Sequence, residues 1–193
     1  MLNVDKVRLF PTLIYFVDCP QLIHPVKNEF KKSIWKDDSI TANDTFFTLQ
    51  NNKNLVQQIE KIVNDALSEI KYTVPLKMTT SWFTRVLPGK EGRNHYHVNS
   101  FWSAIFYFQD NNSKLVVAKE LPQITVPWLT EDLGLMPAGD VGLDARRGQM
   151  ILIPGNIRHY IQENKNSTNR NSLAMNFMPS GFCHFDDSSH NYK

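Results

Sequence analysis

The chain has 193 residues, 41% of them hydrophobic and 21% charged, with 21 basic against 19 acidic side chains and a formal charge of +2. That size and balance suit one soluble domain with a full core and exclude a wholly disordered chain. No run of like charge is long enough to track a polyanion, so Lys31-Lys32 and Arg146-Arg147 read as solvated surface and a nucleic-acid partner is not indicated.

The first residues, Met1-Leu2-Asn3-Val4-Asp5-Lys6, lack the basic segment and apolar run of a secretion signal. Leu9 to Val17 is apolar and β-branched around Pro11, which predicts an edge or bulged strand ending at the Asp18-Cys19-Pro20 turn. From Gln21 to Gln50 no period is clear, and Phe30, Trp35, Phe46 and Phe47 need core to cover them. Asn54 to Ile70 changes character: Leu55, Ile59, Ile62, Val63, Ala66, Leu67 and Ile70 recur at three and four residues, predicting an amphipathic helix packed on the outside of a sheet.

After Pro75 the pattern is strand-like. Met78 to Arg85 alternates and stops at Pro88-Gly89, and Phe101 to Phe108 is a second strand. Asp110-Asn111-Asn112-Ser113 reads as a hairpin turn from which Leu115 to Val117 returns. A connection rich in Pro and Gly covers Pro122 to Arg147, followed by strands at Gln149 to Ile153, Arg158 to Ile161 and Ser172 to Met178. Several short strands separated by Gly and Pro turns predict a mainly β domain of the jelly-roll type spanning 1–193, with 181–193 read as a flexible tail. No dinucleotide glycine fingerprint or phosphate loop is present, and no apolar stretch approaches the roughly eighteen residues of a membrane span. Cys19 and Cys183, near opposite ends, build neither a disulfide framework nor a metal knuckle. A reducing, cytoplasmic setting follows, with one end-to-end bridge left as the alternative.

The chemistry gathers in four residues. In an extended segment His95 and His97 point to one face and Tyr96 to the other, so two imidazoles stand together at the mouth of the Phe101 strand. His159 follows a hydrophobic strand and the Pro154-Gly155-Asn156 turn, which places it at a sheet rim, where sites are built. Three neutral imidazoles on one face of a metal leave positions open for substrate or oxygen. Arg170 enters an apolar strand, where a guanidinium requires an anion: either a bound carboxylate or a structural acid partner. Ser172 and Asn176 share its face by even spacing.

The chain resembles the iron(II)- and 2-oxoglutarate-dependent oxygenase superfamily and, within it, looks like the small family of such oxygenases from marine bacteria and their tailed phages. The resemblance is carried by Leu9-Phe10-Pro11-Thr12, by His95-Tyr96-His97-Val98-Asn99-Ser100-Phe101-Trp102-Ser103 with Tyr107 behind it, by Gly148 through Pro154 leading to His159, and by Arg170 to Phe177. It implies a double-stranded β-helix, cupin-like, that holds Fe(II), 2-oxoglutarate and O2. His95 matches the first metal ligand, His159 the distal one and Arg170 the clamp on the far carboxylate of 2-oxoglutarate. His97 stands where an acidic ligand is usual, and either binds the metal itself or stands behind a water that fills the place.

Tyr107, Ser172 and Asn176 are implied as cosubstrate contacts. Trp82, Arg85, Arg93, Asn94, Asn99 and Arg158 are further candidates, with Asn99 first a turn residue and Arg158 facing outward if His159 faces in. The implied reaction is hydroxylation of a small-molecule or peptide substrate, coupled to decarboxylation of 2-oxoglutarate to succinate. The alternatives are a cupin-like metalloenzyme that does not use 2-oxoglutarate and a noncatalytic jelly-roll module of a virion or complex. Action is expected in the cytoplasm, the host's for a phage protein. The oligomeric state is open, a homodimer included. Gly181 to His190 carries two histidines and two aspartates in no strong ligand pattern and reads as a partly ordered terminus.

Overall fold

A computed structural model describes residues 12–35, 42–110, 113–118, 140–184, 187 and 189–192. In chain order its elements are β1 (Tyr15–Asp18), α1 (Ile23–Phe30), α2 (Lys53–Ala66), β2 (Leu76–Val86), β3 (Trp102–Phe106), β4 (Leu115–Val117), β5 (Val141–Leu143), β6 (Gln149–Pro154), β7 (His159–Ile161), β8 (Arg170–Pro179), β9 (Gly181–Cys183) and β10 (His190–Tyr192). The large sheet runs β1-β6-β3-β8-β2 and the small one β5-β4-β7, with every pairing antiparallel. The architecture is the expected mainly β jelly roll, with α1 and α2 on the outside.

Strands β3 and β6 explain why the sequence is so continuously apolar there. Ala104, Phe106, Met150 and Leu152 face the helices, packing with Val26, Leu55, Ile59 and Val63. Ile105, Tyr107, Ile151 and Ile153 face the other way, onto Leu115, Leu143 and Ile161 around the small sheet. A strand covered on both faces has no polar side to show, and each large side chain so buried contributes about 1.5–3 kcal/mol.

The predicted helix is present as α2, capped by Asn52, whose side chain accepts a hydrogen bond from the Leu55 amide at 3.2 Å. Two polar residues of α2 complete the start of edge strand β2. Asn64 exchanges two hydrogen bonds with the Leu76 backbone at 2.9 and 2.8 Å, and Glu60 accepts from the Met78 amide at 3.0 Å and from Lys77 at 2.8 Å. Backbone groups that an edge strand would otherwise leave unpaired are thereby satisfied.

Several expectations change. Helix α1 falls in the segment without a clear period; it is short, with Pro25 in its first turn where no intrahelical donor is lost. Phe30 and Trp35 do enter the core, the Phe30 ring lying 5.1 Å from those of Phe83 and Phe108, but Phe46 and Phe47 each stay 54% exposed. β4 is not the hairpin return of β3. It pairs with β5 and β7, so the chain crosses from one sheet to the other, and Asn111 and Asn112 of the expected turn lie outside the described residues. β5 lies inside the segment read as a connection, most of which is also outside the described residues, as are Leu9 to Pro11. Strands β9 and β10 pair as a two-stranded ribbon. Among the described residues no helix is long and apolar enough to cross a membrane.

Candidate metal centre

The segment before β3 is laid against β7 and the turn preceding it by backbone hydrogen bonds. The Gly92 amide donates to the Ile161 carbonyl at 2.8 Å, His95 and His159 exchange bonds of 3.0 and 2.8 Å, and the His97 amide donates to the Gly155 carbonyl at 2.9 Å. Two glycines permit this approach. A Cβ on Gly92 would lie 2.9 Å from the Ile161 Cβ, and a Cβ on Gly155 would collide with the Ser100 carbonyl.

The result is that His95, His97 and His159 meet, with their ligand atoms all within 4.8 Å of one another. The ring centroids lie 4.6 to 5.0 Å apart. The hydrogen-bond partners assign the tautomers. A carbonyl can only accept, so His95 Nδ1 donates to the Arg93 carbonyl at 2.7 Å and His159 Nδ1 to the Ile157 carbonyl at 2.9 Å. Asn176 donates through Nδ2 to Thr80 at 3.0 Å, which turns its Oδ1 toward His97 Nδ1 at 2.5 Å; Ser103 lies 2.9 Å from the same nitrogen. Each ring therefore spends its proton outward and aims a bare Nε2 lone pair inward, with those of His95 and His97 only 3.1 Å apart. Lone pairs that converge without a proton between them need an electrophile, and outward Nδ1–H partners are how metal-binding imidazoles are oriented.

Electrostatics favour the same state. Burial pushes the His159 imidazolium down to about 4, opposed by its bond to the Ile157 carbonyl and helped by the neighbouring histidines. Burial also lowers His97, with the Asn176 contact working against it. Neutral rings are the form that binds metal.

Arg170 is 1% exposed at the start of β8. It donates to Ser172 Oγ at 3.1 Å and to the Tyr107 hydroxyl at 3.0 Å, with its guanidinium carbon 5.0 Å from the Tyr107 ring centre. Its Nε has no partner, and among the described residues no carboxylate meets it. Burial lowers the Arg170 pKa and raises that of Tyr107, and the contact between the two works against both shifts. The structural ion pair that sequence left open is absent among the described residues, and a buried guanidinium without an anion is a costly arrangement. Thr84 on β2 stands 2.6 Å from the Ser172 hydroxyl.

The three histidines and Ser172 line one cavity, together with Trp82, Thr84, Arg93, Ile105 and Ala174. Along β8 the even positions run from Arg170 through Ser172 and Ala174 to Asn176, joining the anion-seeking end to the histidine end. Other candidates lie elsewhere. Arg85 stacks on Trp35 at 4.2 Å, Asn99 is a turn residue with φ 59°, and Arg158 lies over the outward-facing Tyr96. Asn94 is exposed and does not line the cavity. Thr80, Thr84 and Ser103 carry no ligand spacing, and only the register of β2, β3 and β8 brings them to the site, as only the close approach to Ile161 and Ser100 shows what Gly92 and Gly155 do.

Residues 80–176, just over half the chain and all of the residues above from Thr80 to Asn176, match a family model described as "Putative 2OG-Fe(II) oxygenase". No curated protein matches the chain. Among solved structures it is similar to SnoK, a non-heme alpha ketoglutarate dependent carbocyclase from nogalamycin biosynthesis, at 12% identity over 88% of this chain and 81% of that one, with a TM-score of 0.63. HygX from Streptomyces hygroscopicus, solved with nickel and 2-oxoglutarate bound, is 11% identical over 90% and 85% of the two chains, with a TM-score of 0.60. AviO1 from Streptomyces viridochromogenes Tue57 is 13% identical over 94% and 93%, with a TM-score of 0.59. At these identities the likeness is one of fold.

Proposed function

Because this chain belongs to the 2OG-Fe(II) oxygenase family, we propose that it is an iron(II)- and 2-oxoglutarate-dependent dioxygenase that oxidises a small-molecule or peptide substrate. The observation that carries the reading is the pairing, in one β sandwich, of three bare imidazole nitrogens with a buried arginine that meets no acid among the described residues. The nickel and 2-oxoglutarate bound in HygX add support from a protein of the same fold.

In this reading His95, His97 and His159 hold the metal through Nε2, His97 included, since its Nε2 is turned into the cluster. Arg170 would pair with the far carboxylate of 2-oxoglutarate, its Nε being a donor with no partner among the described residues. Ser172 and Tyr107 hold the guanidinium in place, and the phenolic proton of Tyr107 is directed at the same carboxylate. Iron, 2-oxoglutarate and O2 together supply the oxidation, with release of succinate and carbon dioxide. Asn176 and Ser103 fix the His97 ring, while Ile105 and Ala174 give the cavity an apolar wall beside the histidines. We assign its action to the cytoplasm, the host's if the gene is a phage's, as a ferrous site and two unpaired thiols suit a reducing compartment. Marine bacteria and their tailed phages are the lineage that the sequence resemblance suggests.

Anaerobic reconstitution with iron(II), followed by 2-oxoglutarate, is expected to produce the metal-to-2-oxo charge-transfer absorption. A fully metal-loaded protein with neither the band nor 2-oxoglutarate binding would overturn the cosubstrate assignment. Arg170→Ala should weaken 2-oxoglutarate binding by at least about tenfold, as loss of a charge-assisted bidentate contact implies, while metal affinity is retained.

A further inference from the structure

Phe46 and Phe47 are neighbours in sequence, equally exposed, and face different surroundings from a bent segment that bridges to β2 at Ala42 and Phe47. That segment is held by the Ser81 amide donating to the Phe46 carbonyl at 2.8 Å, by the Thr48 amide donating to the Ser81 carbonyl at 3.0 Å, and by the Asn43 side chain. Phe47 faces the groove between α2 and the start of β2. Phe46 faces Trp82, edge to face at 5.5 Å, and Trp82 in turn lies 5.4 Å from the His97 ring and lines the histidine cavity. A continuous row of rings thus leads from the surface to the three nitrogens. Its outer member keeps more than half its surface in water, as Phe47 does, whereas Phe30 and Trp35 of the same region pack against the core.

We propose that Phe46 and Trp82 form the substrate-recognition platform of this site, and that the substrate presents a planar aromatic ring to it. Rings prefer edge-to-face and offset-stacked partners, and such pairs add to simple apolar burial, so a planar guest is favoured over a saturated one of the same shape. Beyond the platform the cavity wall joins apolar Ile105, Leu115 and Ala174 to the polar Thr84, Arg93, Ser172 and the histidines, so the preference for a flat apolar guest is set at the Phe46 and Trp82 rings. This inference rests on the oxygenase reading for the meaning of "substrate", but the platform itself stands on β2 and the 42–48 segment and needs no metal.

The test uses 2-naphthol and its saturated counterpart decahydro-2-naphthol, titrated by ligand-observed NMR against the full-length protein, both metal-free and loaded with nickel(II) and 2-oxoglutarate. Wild type is expected to bind 2-naphthol at least about threefold more tightly than the saturated compound, and Phe46→Ala to lose about three- to tenfold of 2-naphthol affinity. Phe47→Ala, an equal truncation at the neighbouring position, should bind as wild type. Equal binding of the two compounds, undiminished binding by Phe46→Ala, or an equal loss in Phe47→Ala would overturn the platform. Ring discrimination that persists in a protein giving no charge-transfer band would overturn the oxygenase reading and leave the platform standing.

Discussion

Asn176 shows how much of this centre is decided one atom at a time. Its Nδ2 donates to Thr80, so its Oδ1 faces His97 and takes the Nδ1 proton, which leaves Nε2 as the inward lone pair of that ring. Asn176→Ala removes that acceptor, and nickel(II) affinity measured by calorimetry is expected to fall about 10- to 100-fold, whereas Asn176→Asp, which keeps an acceptor, should retain most of it. Arg170 makes the complementary point. Its position in an apolar strand was enough to mark it as needing an anion, but only the packed structure shows that no acid partner meets it among the described residues. His95 and His97 were legible as a pair because alternation along an extended chain is a local rule, and Tyr96 duly faces solvent.

At the scale of elements, the site depends on the segment from Gly92 to Ser100, which has almost no regular structure of its own and is held in place by β7 and the Gly155 turn. Gly155→Ala drives a methyl into the Ser100 carbonyl, backbone that has no flexible side-chain end to yield. It is expected to displace His97 and Ser103 and to abolish tight nickel(II) binding, while the far-UV circular dichroism of the large sheet is retained. Helix α2 was readable because its apolar residues keep a helical period for several turns. Helix α1 was not, since two turns that include a proline provide too little periodicity to count. The misread hairpin at β4 has a similar cause. A turn signal shows that the chain reverses, but which sheet receives the next strand depends on a partner, here β7, met far along the chain.

For the whole molecule, the cost of keeping imidazoles neutral appears as pH dependence. The folded His159 titrates at about 4 and an unfolded histidine near 6.5, so between those values the unfolded chain binds a proton that the native state refuses. Stability of the metal-free protein therefore falls as pH drops from 6.5 toward 4, by roughly 3 kcal/mol from this group, and is insensitive to it above pH 6.5. His97 is shifted in the same direction. Urea denaturation of chelator-treated protein at pH 7.5 and 5 should show the loss, and a His159→Gln variant should lose less over the same interval; an equal loss in both would refute the assignment.

The sequence by itself determined the features that local periodicity carries: a mainly β domain, the α2 helix, the paired faces of His95 and His97, and the motifs that resemble the oxygenase family. The tertiary structure decided what depends on partners distant in the chain: that the three Nε2 atoms converge, that Asn176 rather than a carboxylate orients His97, that Arg170 has no acid among the described residues, and that Phe46 stays in water beside Trp82. The physical reason is that alternation and helical period are properties of neighbouring residues, while hydrogen-bond direction, burial and the company of a charge are properties of a packed interior, which exists only once β2, β3, β7 and β8 are in register.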